Sequence, residues 1–146
     1  MPENNLSNWE DQLKPPESEL KHIRPGMSVF IGTGPAAPRT LIRTLLDVDK
    51  HNIRDLELVQ LTVQGETILS LEKLHAPNYR LKTFFAGYVA TDTIAEGHLD
   101  LVPAYASEIP KIIKSRRINV DVAFIQITPP NASGYCSLGV AVDVAG

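Results

Sequence analysis

Val120-Asp121-Val122-Ala123-Phe124-Ile125-Gln126-Ile127-Thr128 is an almost unbroken apolar run that opens onto Pro129-Pro130-Asn131. A strand this apolar is the kind buried on both faces, as in a parallel sheet covered by helices, so a buried strand is expected over residues 120–128. Upstream of it, Ser107 has the chemistry of a helix cap. Glu108 and Pro110 fall in that helix's first turn, while Lys111, Lys114, Arg116 and Arg117 load its end, where the helix dipole favours cations. Leu101-Val102 is a short apolar piece closed by Pro103. Leu81 to Phe85 reads as a third strand, leading through Ala86-Gly87 into a short helix over Thr91 to Glu96. Leu56 to Val63 is strand-like and is followed by Gln64-Gly65 and a helical pattern in Ile68, Leu69, Leu71 and Leu74. The first strand, Met27 to Ile31, follows the turn Arg24-Pro25-Gly26 and a short helix that Ser18 would cap, running through Ile23. After the loop Gly32 to Ala37, Pro38 suits a first helical position, and Leu41, Ile42, Leu45 and Leu46 share one face of a helix ending near Lys50. Strands alternating with helices predict an α/β fold: an open, mostly parallel sheet with helices on both faces and right-handed crossovers.

The whole chain is 146 residues and 16.0 kDa, about one ordinary domain. Residues 1–17, with Asn4, Asn5, Ser7, Asn8 and the pair Pro15-Pro16, read as a flexible leader, and residues 18–146 as the domain. Fourteen Lys and Arg stand against seventeen Asp and Glu, and a net charge of −3 gives no general attraction for nucleic acid or anionic lipid. No apolar run approaches the roughly 18–20 residues that span a bilayer, and residues 1–21 are polar and acidic where a signal peptide would be basic and then apolar. A cytoplasmic location is therefore expected, in agreement with a single cysteine, Cys136.

Open α/β sheets bind ligands beyond the carboxyl ends of their strands, so the loops there are the places to search. They are rich in small and imino residues: Gly32-Thr33-Gly34-Pro35-Ala36-Ala37-Pro38, Gln64-Gly65, Ala86-Gly87, Tyr105-Ala106-Ser107, and Pro129 through Gly139. Small residues admit a ligand close to backbone, and prolines hold loop shape without amide partners. Gly32, Gly34 and Ala37 match the dinucleotide fingerprint, but Pro35 removes an amide that should face the pyrophosphate. The second strand, ending in Gln60, Thr62 and Gln64, offers no acid for a ribose diol, and a nicotinamide cofactor is not expected. His22, His51, His75 and His98 are scattered singly, so no metal is implied. Cys136 has no identifiable basic partner and reads as a small buried loop residue rather than a nucleophile. Glu66 and Glu108 lie on the expected ligand edge and read as a loop contact and a helix N-terminal acid.

The chain is similar to a specific family over residues 18 to the end. The matches are Arg24-Pro25-Gly26-Met27-Ser28-Val29-Phe30-Ile31-Gly32 with Pro38 and Leu41, then Leu101-Val102-Pro103-Ala104-Tyr105-Ala106-Ser107-Glu108-Ile109-Pro110. The most specific match is Val120 through Pro130 with Gly134-Tyr135-Cys136-Ser137-Leu138-Gly139 and Val142-Asp143, with Thr128 where serine is usual and Asn131 where aspartate is usual. These segments resemble the N-terminal domain of the acetyl-CoA hydrolase/transferase family, the group that includes 4-hydroxybutyrate CoA-transferases.

The resemblance implies a CoA-transferase-type α/β fold and a reaction that moves CoA from an acyl-CoA to a small carboxylate, or to water. It implies two similar α/β domains with the active site between them. A glutamate of the second domain attacks the thioester, which is covalent catalysis by a carboxylate. That glutamate has no counterpart here, and the chain is expected to stop short of the end of the first domain, leaving no catalytic residue in it. The N-terminal half would line the acyl and carboxylate pocket, with Gly34, Gly65, Gly87, Ser107, Pro130 and Gly134 as wall or contact positions and the coenzyme A thioester as substrate rather than a permanently bound cofactor. Its partners would be an acyl-CoA, a small carboxylate, the second domain and, through the face left bare, another copy of itself. A non-catalytic ligand-binding or regulatory module of the same fold is the alternative.

Overall fold

The computed structural model describes residues 6–47, 53–62, 79–85, 97 and 99–144. Five strands, β1 (Ser28–Ile31), β2 (Leu56–Thr62), β3 (Tyr79–Phe85), β4 (Leu99–Leu101) and β5 (Val122–Phe124), form one sheet in the order β4-β3-β2-β1-β5. Every pairing is parallel. Among the described residues three α-helices accompany them: α1 (Pro16–Leu20), α2 (Arg39–Leu46) and α3 (Ile109–Lys114). The α/β architecture expected from the alternating pattern is present.

Register explains the core. Leu99, Leu81, Leu58, Val29 and Val122 occupy one row across all five strands, so their side chains share a face. Leu20 and Ile23 from the α1 region and Ile42, Leu45 and Leu46 from α2 pack against that row. The opposite face carries Phe30, Val59 and Phe84, covered by Ile109 of α3 and by Ile118. The amphipathic spacing of α2 thus buries the residues that its sequence predicts, and its C-terminal end is tied to the sheet where the Tyr79 hydroxyl donates to the Leu45 carbonyl at 2.9 Å. That carbonyl is among the last four of the helix, which lack the usual i+4 amide.

Several local expectations are corrected. The strand expected over 120–128, buried on both faces, is three residues long and lies at the edge of the sheet, paired only with β1 among the described residues. Its apolar run is therefore not a sign of two covered faces: Ala123 is exposed, and Ile125 and Ile127 continue outward beyond the last paired residue. Ser18 does not cap α1. Pro16 needs no amide partner and starts the helix, with Pro15 as its N-cap, and the Ser18 amide and hydroxyl both donate back to the Pro15 carbonyl. Ser107 does not cap α3 either, because residues Ala106–Glu108 form a 3-10 turn and Glu108 takes the cap position without a side-chain bond. A second 3-10 helix spans Leu6–Gln12 in the segment read as a leader, and Leu20 is buried in the core just beyond that segment. The helices expected over 68–74 and 91–96 lie outside the described residues.

Candidate functional site

The chain runs from β1 outward through β2, β3 and β4, then returns to place β5 on the other side of β1. The reversal makes the β1–β5 boundary the topological switch point, where loops leaving the two carboxyl ends diverge and open a crevice. Gly32 stands at its base. Its amide donates to the Phe124 carbonyl at 3.0 Å, and a Cβ there would stand 3.4 Å from the same oxygen, so the absence of a side chain gives the two strand ends room. Gly34 follows in the left-handed region at φ +64° and starts the 3-10 turn Gly34–Ala36, and Pro38 then leads into α2.

The other wall is built by the chain after β5. Residues 128–137 fold back on themselves: the Thr128 amide donates to the Ser137 carbonyl at 2.8 Å, the Ser137 amide to the Thr128 hydroxyl at 2.9 Å, and the Asn131 amide to the Tyr135 carbonyl at 2.9 Å. The Asn131 side-chain oxygen accepts the amides of Ser133 and Tyr135, which rigidifies the tip. This excursion returns residues 141–143 to the crevice, where they face Phe30, Thr33, Ile125 and Gln126. The remaining space is about 10 Å³, close to the room that one water needs.

Asp143 closes the contact. One carboxylate oxygen accepts both the Thr33 amide at 3.0 Å and the Thr33 hydroxyl at 2.8 Å, and the other accepts the Val144 amide at 2.9 Å. Asp143 itself holds φ +54°, a conformation uncommon outside glycine, asparagine and aspartate. It is the only ionisable group among the described residues lining the crevice.

The expected wall positions are distributed differently. Gly34 sits in the turn between Thr33 and Ala36, both of which line the crevice. Ser107 is exposed and flanked by Tyr105 and Glu108, which line a separate, open cavity of about 610 Å³ with Ile112 and Arg117. Pro130 and Gly134 belong to the self-bonded excursion, Gly134 at φ +80° with its amide on the Asn131 carbonyl. Gly65, Gly87 and Glu66, with His51, His75 and His98, lie outside the described residues. Thr33 lies in the small-residue loop after β1 and Asp143 at the end of the family-like segment, but nothing in their spacing of 110 residues announces the pair.

Other charged and polar groups are paired. At the amino edge, Glu57 accepts the Ser28 hydroxyl at 3.1 Å and the Lys82 ammonium, and Asp121 accepts the Ser28 amide at 2.8 Å. Glu108 pairs with Lys111 at 3.7 Å, in keeping with its helix-terminal position. Cys136 is exposed, contrary to the expectation of a buried loop residue, because the excursion carrying it projects from the sheet edge. Among the described residues no group of three or more His, Cys, Asp or Glu could hold a metal ion, and no helix is long and apolar enough to cross a membrane.

Comparison with known proteins follows the same pattern. The chain is 34% identical over 123 residues to succinyl-CoA:acetate/propanoyl-CoA:succinate CoA transferase of Fasciola hepatica, a match covering 84% of the chain and 25% of that protein. It is 29% identical over 135 residues to 4-hydroxybutyrate coenzyme A transferase of Clostridium kluyveri, covering 92% of the chain and 31% of that protein. The chain thus spans between a quarter and a third of the length of these relatives. Among solved structures, RipA of Yersinia pestis superposes with a TM-score of 0.81 at 24% identity over 97% of the chain and 35% of RipA, a likeness of fold. The model of the acetyl-CoA hydrolase/transferase N-terminal domain matches residues 2–146. With the parallel sheet and its switch-point crevice in place, this match shows that the chain belongs to the acetyl-CoA hydrolase/transferase family and carries its N-terminal domain.

Proposed function

We propose that this domain forms the substrate-pocket half of an acyl-CoA:carboxylate CoA-transferase or acyl-CoA hydrolase, and that the nucleophilic carboxylate is supplied by a second domain. The observation that carries the reading is the chemistry of the switch point: Gly32, Thr33 and Ala36 face Phe30, Ile125, Gln126 and Val142, and the one carboxylate among the described lining residues, Asp143, is already bonded to three donors. A space of about 10 Å³ admits no acyl group, so the crevice packs the two walls together, and the loops it joins are the surface that would orient a small acyl or carboxylate group without supplying acid–base groups, which is catalysis by positioning. In the proposed reaction a glutamate carboxylate of the second domain attacks the thioester carbonyl and expels CoA as thiolate, leaving an acyl-glutamyl anhydride. The thiolate then attacks the glutamyl carbonyl, releasing the acyl group as its carboxylate and leaving a glutamyl-CoA thioester. The acceptor carboxylate, or water, completes the transfer. The CoA transferases named among the relatives support this substrate class.

In this reading the bare rim of Ile125, Ile127, Val140 and Val142 is contact surface for the second domain, and in the separate chain it is a self-association surface. The test is CoA exchange between acetyl-CoA and a carboxylate such as 4-hydroxybutyrate or butyrate, measured on this chain alone and on the full-length gene product. Turnover is expected only in the full-length protein, and robust turnover by the chain alone overturns the assignment of the nucleophile. The loss-of-chemistry alternative, a binding module, is favoured by the same scarcity of free acid–base groups, and an inactive full-length product that still binds acyl-CoA would establish it.

A further inference from the structure

We infer that Asp143 is a positioning residue: it latches the segment after β5 onto the loop after β1 and thereby fixes the substrate-facing loop Gly32–Pro38 in its working shape. The inference rests on the proposed function for what the loop receives, and on geometry for the latch. Two donors of Thr33 converge on one oxygen of Asp143, and Thr33 is itself almost fully buried, so water does not easily replace the carboxylate. The second oxygen is held by the Val144 amide, which prevents the side chain from rotating away to solvent. Asp143 occupies the left-handed region to do this, an arrangement of backbone that persists when the surroundings demand it. The residues that the latch joins are those lining the switch-point crevice from both sides, Thr33 and Ala36 on one wall and Ala141 and Val142 on the other. Beyond Thr33 the loop has conformational freedom to lose: Gly34, at φ +64°, has open space where a side chain would stand, and the bond its carbonyl makes is local, accepting the Ala37 amide at 3.1 Å. A bond at Thr33 is therefore the nearest fixed point for the turn that follows β1.

The latch makes a prediction that strain alone does not. In D143G the left-handed backbone carries no cost, so whatever the variant loses comes from the three vanished acceptor contacts and not from strain. D143N keeps the backbone preference and one acceptor oxygen and falls between wild type and D143G. T33V removes one of the two Thr33 donors and keeps the amide. The experiment has two arms. In the first, amide hydrogen exchange of this chain is followed by NMR. The Thr33 amide is expected to exchange at least tenfold faster in D143G than in wild type, with D143N between them and the β2 amides of Leu58 and Val59 unchanged. In the second, kcat and KM for CoA transfer are measured in the full-length protein. D143G is expected to lower kcat tenfold or more with a smaller change in KM, T33V to lower it a few-fold, and D143N to recover part of the loss. Unchanged exchange at Thr33 in D143G overturns the latch. Faster exchange with unchanged kcat and KM overturns its positioning role. A wild-type protein that transfers no CoA overturns the proposed function instead, and the exchange arm then decides the latch by itself.

Discussion

Tyr79 shows how much of the fold depends on single polar atoms inside an apolar layer. Its ring belongs to the core beneath α2, and its hydroxyl meets an otherwise under-bonded helix-end carbonyl. Burial pushes the phenol up from its ordinary value of 10.0 to about 12. A group whose folded pKa is raised contributes stability that is complete below its unfolded value and is lost as pH climbs through the folded one. Unfolding in urea should therefore show stability falling between about pH 10 and pH 12. Tyr79→Phe should cost about 1 kcal/mol at neutral pH, the usual net worth of such a bond, and should flatten that alkaline decline. A decline of equal steepness in the variant would assign it to other groups. The tyrosine marks a limit of sequence reading. Its row partner Leu56 starts a strand by its apolar pattern, whereas the pattern predicts the third strand only from Leu81, two residues after the observed start at Tyr79. The Thr33–Asp143 pair was out of reach for a different reason: hydrogen bonds between residues 110 apart leave no periodicity to detect.

Helix α2 and strand β5 mark the two ends of legibility among the elements. For α2 the pattern suffices, since three of its four predicted apolar positions, Ile42, Leu45 and Leu46, are buried on one face of a helix whose entry is set by Pro38. In β5 the composition misled, because an apolar run marks residues suited to burial and does not say that both faces are covered. What holds β5 in register at its start is polar. Asp121 accepts the Ser28 amide and the Asn119 side-chain amide at 2.7 Å, and its own amide donates to the Ser28 carbonyl at 2.9 Å. The Ser28 amide, with Asn119 second, holds this carboxyl below its ordinary value of 3.8. A depressed folded pKa contributes stability that is present above the unfolded value and is lost as pH falls through the folded one. Asp121→Asn should therefore lower the urea midpoint near neutrality, and its stability should fall less steeply than that of wild type on acidification below pH 3.8. Parallel acid limbs for the two proteins would show that the bond to Ser28 carries no linkage.

Across the whole molecule, exposed apolar side chains gather on the β5 side of the sheet. The central strands β1 and β2 are covered on both faces, and the charges at the amino edge are paired or hydrogen-bonded. On the β5 side, Ile125, Ile127, Tyr135, Val140 and Val142 stand in solvent around a strand that pairs on one side only among the described residues, Val140 at 83% exposure. Single exposed apolar residues are ordinary, but five along one rim beside such a strand form the kind of surface that a partner covers. With a net charge of only −3, long-range repulsion offers little resistance to a second copy approaching that rim. The separate chain should therefore associate as concentration rises, and sedimentation equilibrium should show its weight-average mass climbing above 16.0 kDa. The double variant I125K/I127K places two like charges at the edge without touching the core rows that run from β4 to β1, so it should stay monomeric and unfold at the wild-type midpoint. A wild-type chain that sediments as a monomer at high concentration would mean that the rim is not adhesive by itself. Association that survives both lysines would move the contact to another surface.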